Sequence, residues 1–167
     1  VAERLGRAAE AAGLTARVYA AGNYPVKDLA RERALVMVVS TQGDGDPPDD
    51  ARGLIEFLQS RRAPRLEQLS FAVLALGDSS YPKFCETGRQ VDERLGELGA
   101  KRLVDRVDCD VDYDTLANAW LDRVVTGARD TLGGSAQSAT VTRLRAATME
   151  PQFSREQPFA AEVIANH

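Results

Sequence analysis

Histidine is almost missing: the sole copy, His167, is the last of 167 residues. A Ser/His or Cys/His catalytic pair, or a histidine-based metal centre, has no imidazole to build on inside the chain. Cysteine is scarce too. Cys85 and Cys109 are too few for a disulfide framework, and free thiols fit a reducing, cytoplasmic setting. No apolar run approaches the ~18 residues of a membrane-spanning helix, and no signal-peptide pattern opens the sequence. Positive charge is in the minority. The 21 Lys and Arg face 25 Asp and Glu, for a net charge of -4, so there is no basic footprint for nucleic acid. What remains is a chain 44% hydrophobic, enough for one domain with a real core.

Against that background one stretch stands out. Arg33 to Asp50 reads RALVMVVSTQGDGDPPDD. Ala34 to Val39 run unbroken as apolar residues and predict a strand buried on both faces. The strand stops at Ser40, Thr41, Gln42 and Gly43, and glycines, aspartates and prolines follow. A second stretch has the same shape: Phe71 to Leu76 (FAVLAL), then Gly77-Asp78-Ser79-Ser80-Tyr81. Open α/β sheets bind ligands at the carboxyl ends of their strands. Two such loops side by side predict one ligand site.

Helical and strand patterns alternate along the rest. Val1, Leu5, Ala8, Ala9 and Ala12 share a helical face closed by Gly13. Thr15 to Ala21 alternates as a strand, and Val26 to Ala30 forms a short helix. Asp46 is the expected N-cap of a helix that carries Ala51, Leu54, Ile55 and Leu58 on one face. Strand Ser70 to Leu76, helix Phe84 to Leu98, strand Arg102 to Val107 and a last helix to Leu132 follow. Leu116, Trp120 and Val124 are expected to stack in the core. The alternation predicts an α/β fold, a doubly wound parallel sheet with helices on both faces. A strand before the first helix would make it flavodoxin-like, order 2-1-3-4-5, with that absent strand at the centre. The chain opens inside a helical pattern with no N-cap, and Phe159 to Asn166 closes it on a lone strand pattern. Both ends predict a piece of a longer polypeptide. The expected organisation is a domain over 1–132, a flexible linker over 133–139, and the start of a second unit over 140–167.

At the two loops the sequence becomes specific. STQGDGDPPDD, followed one crossover later by LGDSSYPKFC, resembles the flavin-binding loops of the diflavin reductases. That family includes cytochrome P450 reductase, the nitric oxide synthase reductase domain and the NADPH–sulfite reductase flavoprotein. Gln42 gives the S-T-Q-G form typical of the sulfite reductase subgroup. The resemblance covers Val1 to Leu132, and the tail after Ser138 resembles the entry into the family's FAD-binding domain. It implies a flavodoxin-like FMN domain that passes electrons from NADPH, through FAD, to a haem or iron–sulfur acceptor. In the sulfite reductase case that acceptor is the hemoprotein (beta) subunit, which reduces sulfite to sulfide for cysteine synthesis. FAD and NADPH would bind in other parts of an oligomeric longer protein. One departure matters. The family's first strand and its Ser/Thr/Gly-rich phosphate loop, which would precede the first helix, are missing from this chain. That predicts weak FMN binding, or none, by this stretch alone. The alternatives are a domain of another diflavin reductase, and a flavin-free interaction module of the same fold.

Carried onto this chain, the resemblance implies Ser40, Thr41, Gln42 and Gly43 from the first loop as cofactor-binding residues. From the second it implies Leu76, Gly77, Asp78, Ser79, Ser80, Tyr81, Pro82, Lys83, Phe84 and Cys85. Tyr81 would stack on the flavin, worth about 0.5–1.5 kcal/mol beyond burial. Gly43 and Gly77 would let backbone approach the ring edge. The serines and Thr41 offer hydrogen bonds to the ring and ribityl chain. Asp78 either folds its own loop or accepts from the flavin edge, and Phe84 is either core or cofactor contact. Cys85 reads as a small buried hydrophobe. No residue is expected to do acid–base catalysis, and no loop resembles a Mg²⁺ or Ca²⁺ site. Aspartates 44, 46, 49 and 50, and 108, 110, 112 and 114, are expected to border one edge and to steer a positively charged partner.

Overall fold

A computed structural model describes residues 1–133 and the strand at residues 162–165. Helix α1 (Ala2–Ala11) leads to β1 (Arg17–Ala20), and 3-10 turns at Ala21–Asn23 and Val26–Arg31 lead to β2 (Ala34–Ser40). Then come α2 (Asp49–Gln59), β3 (Ser70–Leu76), α3 (Glu86–Glu97), β4 (Lys101–Arg102), β5 (Val107–Cys109), α4 (Asp114–Gly133) and β6 (Glu162–Ala165). The sheet order is β1-β6-β2-β3-β4, with β5 pairing further along β3, and every pair of strands is parallel. This is the doubly wound parallel α/β sheet expected from the alternation, and it is flavodoxin-like, with the central place taken by β6 and not by a strand ahead of α1.

Side chains alternate along β2 and sort the helices into two layers. Leu35, Met37 and Val39 join Phe71 and Val73 under α2 and α3, with Leu54, Ile55, Leu58, Val91 and Leu95. Val36 and Val38 join Ala72 and Leu74 on the other face, against Leu5 of α1 and Ala117, Trp120, Leu121 and Val124 of α4. A strand covered on both faces must be apolar at every position, which is why Ala34–Val39 carries no polar break. Gly88 lets α3 lie close on the sheet, since a Cβ there would collide with Ala75.

Several local expectations are corrected. Asp46 does not cap α2. Its backbone pairs with Gln42 to close the loop, and Pro48 occupies the N-cap with no side-chain cap. The fourth strand is split into β4 and β5, which pair with opposite ends of β3. Leu116 is 52% exposed, and the buried stripe of α4 is Ala117, Trp120, Leu121, Val124 and Ala128. That stripe follows the 3.6-residue period, whereas the run 116, 120, 124 drifts off it.

The expected linker begins at Gly133, which is the last residue of α4; 134–139 lie outside the described residues. Of the second expected unit, only Glu162–Ala165 are described. They lie in the centre of the sheet, parallel to β1 on one side and β2 on the other. β1 and β2 stand two strand spacings apart, so their facing N–H and C=O groups need an intervening strand. β6 supplies it.

Candidate functional site

Register brings the site together. Ser40 is paired with Leu76, and Leu76 with Cys109. The three chains therefore leave the sheet in line at its carboxyl edge. Two backbone bonds carry the stagger outward: Thr41 N–H donates to the Leu76 carbonyl and Gly77 N–H to the Cys109 carbonyl, both at 2.9 Å. Beyond them the loops part around a cavity of about 470 Å³, a size ordinary for a small-molecule site.

The first loop is a closed five-residue turn. Gln42 N–H donates to Asp46 at 2.8 Å and Asp46 N–H to Gln42 at 2.9 Å. Gly43 and Gly45 have φ of 49° and 102°, the left-handed region that favours glycine. The Thr41 hydroxyl accepts the Thr87 N–H at 3.1 Å, and the Thr87 hydroxyl donates to the Gly45 carbonyl at 3.4 Å. The loop is thereby pinned to the start of α3.

The second loop folds on itself. Asp78 accepts the backbone N–H of Ser80 at 2.9 Å and also its hydroxyl, an Asx turn. Of the two readings left open for Asp78, its part in folding the loop is seen directly, and it also lines the cavity. Gly77 sits where a Cβ would lie 2.9 Å from the Cys85 nitrogen and 3.0 Å from Phe84 Cδ2, so only glycine lets the loop double back this tightly. Cys85 is fully buried at a φ of 54° and donates its thiol to the Cys109 carbonyl at 3.7 Å. Burial first, and Asp108 second, push that thiol up to about 12. It is an inert floor and not a nucleophile. Phe84 belongs to neither core cluster and lines the cavity half-buried. Tyr81 lines it as well, 55% exposed, a large ring left open beside a concave wall.

The first-loop residues Ser40, Thr41, Gln42 and Gly43 all line this one cavity. So do Leu76, Gly77, Asp78, Tyr81, Lys83, Phe84 and Cys85 from the second. Ser79, Ser80 and Pro82 do not. The hydroxyls of Ser79 and Ser80 are taken up by Asp110 and Asp78. Asp110, Val111 and Tyr113 form a third wall, where the sequence alone predicts only an acidic rim. A signal for it exists: a loop that follows the strand next to β3 must emerge at the same edge. Among the described residues no group of His, Cys, Asp and Glu could hold a metal ion, and no helix is long and apolar enough to cross a membrane.

The flavodoxin family description matches residues 1–120. Over 99% of its length the chain is 47% identical to the "Sulfite reductase [NADPH] flavoprotein alpha-component" of Bacillus subtilis (strain 168). Over 98% it is 44% identical to the protein of that name from Vibrio cholerae. It spans 27% of the length of each. Among solved structures, a cysteine-to-serine mutant of the flavodoxin from Pseudomonas aeruginosa is 30% identical with a TM-score of 0.62, covering 76% of this chain and 90% of that one. A Streptococcus pneumoniae TIGR4 flavodoxin, 20% identical with a TM-score of 0.65 over 79% of this chain and 87% of its own, shares the fold. By sequence, topology and the placement of its carboxyl-edge loops, the chain belongs to the flavodoxin family.

Proposed function

We propose that the carboxyl-edge cavity binds the ring of FMN and that the chain is an electron-transfer domain. The observation that carries this reading is the convergence of three loops on one cavity with Tyr81 exposed at its wall. Bound FMN would supply one- and two-electron redox chemistry that no side chain here can provide. The chain's own residues bind, orient and shield. Tyr81 offers a face for stacking. Gly43 and Gly77 hold backbone amides close to the ring edge. Leu76 and Phe84 exclude water from the floor, and Lys83 brings a positive charge to the cavity wall.

The relatives' names support a place for this domain in a larger system, an NADPH–sulfite reductase flavoprotein. There it would take electrons that NADPH delivers through FAD and pass them to a sulfite-reducing hemoprotein subunit, for sulfate assimilation and cysteine synthesis in the cytoplasm. The acidic rim fits docking to a positive partner surface. Asp44, Asp46, Asp50 and Asp112 are exposed and make no ion pair among the described residues, whereas Asp49, Asp108 and Asp114 are taken up by Arg52, Arg106 and Arg4. Titrating FMN into the full chain and following flavin fluorescence tests the reading. Saturable quenching supports it. No quenching up to millimolar FMN overturns it and favours a flavin-free interaction module.

A further inference from the structure

We infer that Asp110 is a positioning residue of the flavin site, the clamp that fixes the loop carrying Tyr81 to the loop carrying Val111. The inference rests on the FMN reading and goes beyond it, because Asp110 acts on the site through protein groups. Its carboxylate spans two chain segments that share no strand. One oxygen accepts the backbone N–H of Ser79 at 3.1 Å and that of its own neighbour Val111 at 2.8 Å. The other accepts the Ser79 hydroxyl. Hydrogen bonds to a carboxylate are the stronger kind.

The consequence is geometric. Ser79 lies between Asp78, which closes the Asx turn onto Ser80, and Tyr81, whose N–H returns to the Asp78 carbonyl at 3.1 Å. The turn is rigid within itself but solvent-exposed. Ser79 is where side-chain hydrogen bonds hold it to the rest of the molecule. Released from Asp110, the turn would pivot about Gly77 as one piece and take Tyr81 with it. Val111, 66% exposed and apolar, faces the same cavity from the other loop. An exposed valine and an exposed tyrosine held apart by a fixed clamp make a slot with two apolar walls. A flat ring entering it meets a gap of set width, so the ordering cost is met on folding and not on binding. Ser79 and Ser80 thus serve the site without touching its ligand. Their hydroxyls are spent in building the slot.

The test uses the full chain with four variants and FMN as the probe: Asp110→Ala, Asp110→Asn, Ser79→Ala, and the pair Asp110→Ala with Ser79→Ala. Asp110→Ala should weaken FMN binding roughly tenfold, the scale of losing hydrogen bonds to a charged acceptor. Thermal unfolding should fall only slightly, because water can replace the lost bonds at this solvent-facing site. Asp110→Asn keeps an acceptor for the Ser79 N–H and an amide that can bond its hydroxyl, so it should restore most of the affinity. Ser79→Ala should fall between wild type and Asp110→Ala, and the double variant should be no worse than Asp110→Ala, since the two share one interaction. The visible circular dichroism of bound flavin should change in Asp110→Ala and recover in Asp110→Asn, which a general loss of stability would not produce. If Asp110→Ala binds FMN as the wild type does, the clamp is overturned and the FMN reading stands. If the wild type itself does not take up FMN, both fall together.

Discussion

Two aspartates, eighteen positions apart, hold chain segments together in opposite ways. Asp92 lies on α3 with its side chain 8% exposed. It receives Arg102 through Nε at 3.0 Å and Nη2 at 2.8 Å, and Arg106 approaches at 3.6 Å. Arg106 in turn grips Asp108 at 2.7 Å, and Arg102 lies 5.3 Å above the Phe71 ring. The guanidinium of Arg102 is held above its usual value chiefly by its hydrogen bond to Asp92. This network ties helix to sheet where the fourth strand breaks in two, and none of its members lines the cavity. Asp110 ties loop to loop at the surface, with neutral donors only. The first arrangement holds the fold and the second holds the site. A chain can spend buried charge on stability where nothing needs to move, and keep its binding edge open to water.

The largest effect should come from breaking the buried partner. Asp92→Ala takes away the carboxylate that Arg102 pairs with and leaves Arg106 with Asp108 alone. Losing one side of a fully buried pair costs about 3–5 kcal/mol, and partial exposure of Arg102 lowers this to about 2–3 kcal/mol. Calorimetry should show unfolding roughly 4 to 10 °C earlier, while FMN affinity measured well below that temperature stays as in wild type. A loss of affinity as large as that of Asp110→Ala would erase the contrast. Gly77→Ala comes next. Its Cβ has no room against Cys85 and Phe84, and overpacking of this kind costs about 1–3 kcal/mol. Because the displaced loop carries Tyr81, the loss should appear in FMN affinity as well as in stability. Tyr81→Ala should weaken FMN by about tenfold through lost stacking and burial and leave unfolding unchanged, since the ring is already half in water.

The smallest effect is one of pH. Hydrogen bonds from the Ser79 side chain, its backbone and Val111 hold the Asp110 carboxyl below its ordinary value of 3.8. A depressed carboxyl contributes its stability above that ordinary value and loses it as pH falls through the depressed one. Ser79 and Val111 amide resonances should therefore shift together only below about pH 4, and stay constant from there to neutrality. A shift of either centred near neutral pH would contradict the clamp.

The fold was legible because burial on both faces leaves a plain mark. Ala34–Val39 and Phe71–Leu76 read as inner strands, and helices between them imposed the parallel order. The first two walls of the cavity were legible as well, because glycine and small polar residues directly after such strands are hard to explain otherwise. The third wall was not. Asp110, Val111 and Tyr113 follow a strand of three residues, too short to show a period, and the surrounding aspartates read as a charged rim. The split of β4 from β5 was hidden for the same reason. Nor did Ser79 and Ser80 reveal that they face other protein groups: a serine at a loop looks the same whether its hydroxyl meets a ligand or a neighbouring carboxylate. The place of Glu162–Ala165 between β1 and β2 depends on long-range pairing that no local pattern reports.

A single titration decides whether the cavity takes FMN against Tyr81. FMN fluorescence should be followed as the full chain and its Tyr81→Ala variant are added in turn, both shown folded by circular dichroism. If the ring sits in the cavity, the wild type quenches saturably and the variant binds about tenfold more weakly. Equal quenching by both would move the flavin away from the Tyr81 wall, and no quenching by the wild type would contradict the flavin site altogether.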